Sequence, residues 1–271
     1  MLPTFVRRTL TVVATTGTVA ALAFAGSGAA YASSGGYVAL GDSYASGVGA
    51  DDYISSSGSC DRSTNAAAYL WDQADSPSSF SFEACSGATT TDVLGNELGA
   101  LNSSTSLVSV IVGGDNVGFT STLETCILDG TSSCESAVSS AETEARNDLP
   151  GQLDTLYAAI QADAPNAHVV VLGYPEFYDL SQSGSCVGLS TASRTAIDGG
   201  ADVLDGVLQS AAENYGFTFV DVRPYFSGHE ICDSDSYLNS VDIFDIDDSY
   251  HPTAAGQADA YYPALEAGVS Q

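Results

Sequence analysis

Ser43 and His251 are the residues best suited by type and setting to covalent chemistry. Ser43 stands in Gly41-Asp42-Ser43-Tyr44, directly after the apolar run Tyr37-Val38-Ala39-Leu40. A serine at a tight turn off a strand is open to substrate, and the backbone N–H groups of the turn can stabilise an oxyanion. The segment is not a G-x-S-x-G elbow, because Ala45 occupies the place of the second glycine. His251 lies in Asp248-Ser249-Tyr250-His251-Pro252-Thr253, ahead of a helical stretch that Thr253 is suited to cap. An imidazole is the usual general base near neutral pH, and Asp248, three residues away, can hold its tautomer. The other two histidines read differently: His168 opens a strand and is structural, and His229 is a loop residue near Cys232. Each motif alone is unspecific, since Gly, Asp and Ser are ordinary turn residues.

The elements that would position these residues alternate between two kinds. Near-continuous apolar or β-rich runs occur at Tyr37–Leu40, Ser79–Glu83, Leu107–Val112, His168–Leu172 and Phe217–Asp221. Such runs suit strands buried on both faces. Helical stretches lie between and after them, at Asn65–Gln73, Thr91–Leu101, Ser136–Ala164, Ser190–Tyr215 and Thr253–Ala267. Pro150 breaks the third of these or opens its second half. The alternation predicts an α/β fold, a three-layer α/β/α sandwich around a parallel sheet with right-handed crossovers. Sites in such sheets lie beyond the carboxyl ends of the strands, where Gly41, Cys85, Gly113 and Gly173 follow their strands.

Composition narrows the chemistry further. The 271 residues carry 34 acids against 6 basic residues, all Arg, for a net charge of −28. That field repels phosphate backbones and anionic headgroups, which argues against nucleic-acid binding and electrostatic membrane docking. Without Lys there is no phosphate-cradling G-x-x-x-x-G-K-[ST] loop. Arg7 and Arg8, an apolar stretch from Leu10 to Ala25, and Ala30-Tyr31-Ala32 have the layout of a secretory leader over residues 1–32, leaving a single domain over 33–271. The stretch is short and Thr-rich for a membrane anchor, and no second apolar run follows it. Cys60, Cys85, Cys126, Cys134, Cys186 and Cys232 all fall in the exported part, and an even number there predicts three disulfides. Sequential pairing (60–85, 126–134, 186–232) is the simplest of many connectivities. Zinc is disfavoured because no C-x-x-C occurs and no His sits at zinc spacing from a Cys. Asp233, Asp235, Asp242, Asp245, Asp247 and Asp248 hint at Ca²⁺ but lack the Gly and final Glu of an EF-hand loop, so they read as a solvated acidic surface.

Taken together, four segments resemble the SGNH (GDSL) hydrolase family. They are Gly41-Asp42-Ser43-Tyr44, Cys85-Ser86-Gly87-Ala88-Thr89, Gly113-Gly114-Asp115-Asn116-Val117-Gly118-Phe119, and Asp248-x-x-His251-Pro252-Thr253. The resemblance spans nearly the whole exported part, and the cysteine pattern is similar to the secreted actinobacterial lipase/esterase branch. It implies a flavodoxin-like sheet, sequential disulfides, no cofactor and no metal. It further implies Ser43 as nucleophile, His251 as general base and then acid, and Asp248 as the residue orienting His251, a role some relatives give to a backbone carbonyl. Gly87 and Ser43 would supply backbone N–H groups to the oxyanion hole.

One position departs from the family. An Asn usually follows the glycine pair and donates to the oxyanion; here Asp115 stands there and Asn116 follows. An ionised carboxylate only accepts hydrogen bonds. Either the loop shifts so that Asn116 donates, or Asp115 is held protonated, or the backbone donors act alone; Asn116 is the expectation carried forward. Tyr44, Phe119, Tyr174, Phe177 and Tyr178 are candidates to line an acyl groove. The resulting expectation is a secreted, monomeric serine ester hydrolase acting on a small-molecule or lipid ester, with no integral membrane association. Phospholipase A1 or carbohydrate acetyl esterase activity are the enzymatic alternatives, and a secreted binding protein on an inactivated scaffold is the non-enzymatic one.

Overall fold

The structure, a computed structural model, describes residues 35–182, 188–241 and 248–271; the expected leader and Cys186 lie outside them. Five strands form one sheet: β1 (Gly36–Gly41), β2 (Ser79–Phe82), β3 (Thr105–Ile111), β4 (His168–Leu172) and β5 (Thr218–Val220). Their spatial order is β2-β1-β3-β4-β5, and every pairing is parallel. All five expected strands are present. β1 is buried along its whole length and β4 in all but its first residue, as their unbroken apolar sequences require. The alternating β2 sits at an edge and is only half buried.

Two helical layers cover the sheet. The chain forms α1 (Ser43–Ser46), α2 (Ala67–Asp75), α3 (Thr90–Asn96), α4 (Phe119–Leu128), α5 (Thr131–Asn147), α6 (Leu149–Asp163), α7 (Thr191–Asn214), α8 (Arg223–Phe226), α9 (Ala254–Gly256) and α10 (Tyr262–Val269). α2 and α10 pack together on one side; α5, α6 and α7 pack together on the other. Gly268 lets α10 press onto the sheet, because a Cβ there would come within 2.5 Å of Val170. Pro150 falls in the first turn of α6, so the helical run expected from Ser136 divides at Asp148. None of the described helices is long and apolar enough to cross a membrane.

The order 2-1-3-4-5 reverses direction between β1 and β3, and a crevice opens there beyond the strand ends. β1 exits into Asp42-Ser43 and β3 into Gly113-Gly114-Asp115. The two exits are neighbours, since Gly41 pairs with Ile111.

Candidate active site

The nucleophile turn is built from Gly41 outward. Gly41 has φ +128°, and a Cβ on it would lie 1.9 Å from the Ile111 carbonyl oxygen, so only glycine fits. Its N–H donates to Glu97 Oε2 at 2.7 Å, and the Asp42 N–H donates to Ile111 O at 2.9 Å. Asp42 then caps α1, its Oδ1 accepting the Tyr44 N–H at 3.0 Å. Ser43 is the first residue of that helix and is 8% exposed, held between a rigid strand end and the crevice.

The histidine comes from the far end of the chain and meets it. His251 Nε2 lies 2.7 Å from Ser43 Oγ, across 208 residues of sequence. Three ties fix the His251 loop. The Asn239 N–H donates to His251 O at 2.9 Å, and the Asn239 amide reaches Gly49 O at 2.9 Å. The Tyr44 hydroxyl donates to Tyr250 O at 2.7 Å, joining the nucleophile helix to the histidine loop. Tyr250 itself takes φ +66°, an uncommon backbone for a bulky residue, and its hydroxyl meets that of Tyr178 at 2.7 Å. Thr253 caps α9 by accepting the Gly256 N–H, as expected. The Asp248 carbonyl accepts the His251 N–H at 3.1 Å, and its carboxylate Oδ1 accepts the Tyr53 hydroxyl at 3.0 Å. Tyr53 in turn accepts the Gly49 N–H at 2.9 Å.

Ser43, His251, Gly87, Asp115 and Asp248 line one cleft of about 450 Å³. Gly87 has φ +76° and is exposed there; among the described residues no carbonyl takes its N–H. The Cys60–Cys85 disulfide anchors the segment that carries it, and the Cys85 N–H donates to Gly41 O at 2.8 Å. Asn116 does not enter the cleft, which corrects the expectation. Its Oδ1 accepts the Thr90 N–H at 2.9 Å, and its Nδ2 donates to Thr90 Oγ1 at 2.8 Å and Gln152 Oε1 at 2.6 Å. It braces the start of α3, and Asp115 lines the cleft instead.

Burial, with little positive charge to offset it, dominates the electrostatics. Asp42 is fully buried, and desolvation, aided by the nearby Asp115, holds its carboxyl well above the ordinary range. Desolvation, with Asp92 beside it, raises Asp115 in the same direction. Glu97 is pushed up to about 8 by burial. The Tyr174 hydroxyl donates to Asp42 Oδ2 and accepts the Gly114 N–H at 3.0 Å, linking the exits of β1, β3 and β4.

Beside the cleft lies a narrow apolar pocket of about 40 Å³, bounded by Phe119, Leu123, Val138, Phe177, Ile197 and Leu204. Phe119 and Leu123 line both spaces. Of the other aromatics expected there, Tyr174 also lines the apolar pocket, and Tyr44 and Tyr174 border a small hollow beside Ser43. Tyr178 belongs to the buried support behind Tyr250, not to a groove. His168 contacts the Gly268 carbonyl at 3.0 Å, and His229 stacks on Tyr237, so both are structural. Cys60–Cys85 and Cys126–Cys134 are bonded as expected. Cys232 is also in a disulfide, whereas the expected partner, Cys186, lies outside the described residues. Asp242, Asp245 and Asp247 lie outside them too, and no group of three metal-ligating side chains occurs among those described. Sequence reasoning missed Tyr53, Asn239, Glu97 and Gln257. Gln257 is buried and bridges the Ala67 N–H to the Tyr44 carbonyl, yet it reads in sequence as one polar residue of a helix.

Comparisons with known proteins identify the family and the fold. Residues 39–258 match the GDSL-like Lipase/Acylhydrolase family. Lipase 1 of Streptomyces coelicolor is 54% identical over 223 residues, 82% of each chain. The crystal structure of phospholipase A1 from Streptomyces albidoflavus is 51% identical, with a TM-score of 0.85, covering 87% of this chain and 99% of that one. The extracellular lipase of Streptomyces rimosus follows at 48% identity and a TM-score of 0.84, covering 87% of this chain and 100% of that one. An acetylxylan esterase from Geobacillus stearothermophilus covers similar shares, 87% and 94%, at 14% identity and a TM-score of 0.51, a likeness of fold alone.

Proposed function

The chain belongs to the GDSL-like lipase/acylhydrolase family and is a carboxylic ester hydrolase, and from that premise we propose that it cleaves lipid esters through an acyl-enzyme on Ser43. The observation that carries the mechanism is the 2.7 Å contact between Ser43 Oγ and His251 Nε2 at the mouth of the cleft. His251 takes the hydroxyl proton as Ser43 attacks the ester carbonyl. It returns that proton to the departing alcohol, then activates water to release the acid. The N–H groups of Ser43 and Gly87 receive the oxyanion. Asp248 acts as a positioning residue: its carbonyl holds the His251 turn, and its carboxylate is fixed by Tyr53.

The substrate class follows from the walls. Asp61, Asp115, Glu124 and Asp248 line the cleft, and no Lys or Arg does so among the described residues. Neutral or zwitterionic esters therefore suit it better than anionic ones. Phe119 and Leu123 lead from the cleft towards the apolar pocket, which favours an acyl chain over an acetyl group on a carbohydrate. The relatives named as lipases and a phospholipase A1 support the same class. We read the protein as exported, with residues 1–32 removed, three disulfides formed, and acting as a monomer without cofactor. A binding protein on an inactive scaffold would have no need of a serine and histidine kept at hydrogen-bond distance.

The test is a panel of nitrophenyl esters of increasing chain length, zwitterionic phospholipid and acetylated xylan, run on protein beginning at residue 33 and on Ser43→Ala. The expected result is turnover of medium or long acyl esters that Ser43→Ala abolishes. Preference for acetylated xylan would overturn the substrate class, and full activity in Ser43→Ala would overturn the mechanism.

A further inference from the structure

The turn after β3 brings a carboxylic acid into the cleft in which the ester oxygen must develop charge. Asp115 shares the large cleft with Ser43, Gly87 and His251, and shares a smaller hollow with Asp42, Tyr174 and His251. The neighbouring Asn116 cannot take over, because both ends of its amide are engaged with Thr90 and Gln152. Nor, among the described residues, does a Lys or Arg line the cleft or the hollow to neutralise the carboxylate. Facing it are Asp42 and Tyr44 from β1 and α1, Asp92 from α3, Glu124 from α4, Tyr174 after β4, and Asp248 and His251 from the C-terminal loop. On α5, Glu142 is already paired with Arg146 at 2.9 Å. Among the described residues that line the cleft and the hollow, His251 is the one basic side chain.

Asp42 deepens the asymmetry. It is fully buried, its Oδ1 holds the Tyr44 N–H, and its Oδ2 accepts the Tyr174 hydroxyl. Two acids flanking one hollow resist simultaneous ionisation, and burial raises Asp42 the further of the two, so Asp115 is the one that ionises first as pH rises. Burial and the adjacent Asp92 shift Asp115 in the same direction, towards its neutral form.

We propose that Asp115, in its neutral form, is a catalytic residue that donates a hydrogen bond from its carboxyl O–H to the oxyanion formed at Ser43, so that raising the pH switches this donor off. The proton stays on Asp115 throughout, and no bond to it forms or breaks. Once ionised, the same side chain repels the oxyanion and leaves the two backbone N–H groups to carry it. The inference rests on the ester-hydrolase reading above, since only acyl transfer creates the oxyanion.

The experiment is kcat against pH on p-nitrophenyl butyrate, from about pH 5 to about pH 9, for the parent protein, Asp115→Asn, Asp115→Ala and Ser43→Ala. The Asn variant keeps a donor that does not titrate. It should raise kcat by about tenfold or more near pH 8, remove the alkaline decline, and change little near pH 5. The Ala variant should fall by about tenfold or more near pH 5 and also lose that decline. An alkaline limb left in place by Asp115→Asn, or full kcat in Asp115→Ala near pH 5, overturns the proposal. Activity surviving Ser43→Ala would instead overturn the underlying site, so the two failures are distinct. If Asp115→Ala does not fold, the near-isosteric Asn variant decides alone.

Discussion

An Asn116→Ala variant removes three hydrogen bonds at once, those to the Thr90 N–H, Thr90 Oγ1 and Gln152. At a net of roughly 0.5–1.5 kcal/mol each, it should cost about 1.5–4.5 kcal/mol of stability. Because the amide braces α3 and not the oxyanion, kcat should fall by less than about tenfold, whereas losing a direct oxyanion donor costs about 10²–10³. Thermal melts beside initial rates separate the two, and a fall in kcat of the larger size would return Asn116 to the oxyanion hole. Residue types and order made Ser43 and His251 legible, since a serine after a strand and a histidine before a helix have few other reasons to co-occur with the remaining segments. The side-chain direction of Asp115 and Asn116 was not legible. Adjacent residues in a 3₁₀ turn point different ways, and only the position of Thr90 on another element decides which one is drawn off.

The alternation of apolar runs and helical stretches identified every strand and most helices, because a parallel sheet covered on both faces demands that pattern. α4 escaped because Phe119-Thr-Ser-Thr-Leu-Glu-Thr-Cys-Ile-Leu128 is rich in Thr and Ser, which propensity does not favour in a helix. Tertiary constraints supply what propensity lacks: the Cys126–Cys134 disulfide fastens α4 to α5, and Leu123 and Cys126 are buried. The C-terminal stretch expected as one helix is instead α9, a π turn over Gln257–Tyr261, and α10. That stretch holds Gln257, which bridges α1 and α2. A hydrogen bond to a distant carbonyl leaves no periodic trace in the chain.

At the scale of the whole molecule, the acidic composition and the buried acids act together. Burial pushes Glu97 up to about 8 and Asp198 and Asp205 up to about 7, and raises Asp42 and Asp115 as well. A group whose folded pKa lies above its unfolded value favours the folded state fully below the unfolded pKa, and that contribution is lost as pH rises through the folded pKa. Stability should therefore decline from about pH 5 to about pH 8, a direction that self-repulsion among 34 acids reinforces. At about 2–4 °C per kcal/mol for a domain of this size, the fall in Tm should be roughly 5–10 °C. Differential scanning fluorimetry across this range, with Glu97→Gln flattening the slope, checks it; a Tm that rises with pH would contradict the assignment.

Net charge and cysteine usage spoke only to compartment and partners. Nothing in composition could bring position 43 within reach of position 251. That meeting needs β1 and the C-terminal loop to converge at one end of the sheet. The most direct measurement is the labelling rate by a fluorophosphonate, with the adduct mapped by mass spectrometry, in the parent protein and in His251→Ala. The account predicts a single adduct on Ser43 that forms at least about 100-fold more slowly without the imidazole. An adduct on another residue, or a rate on Ser43 indifferent to His251, would contradict it.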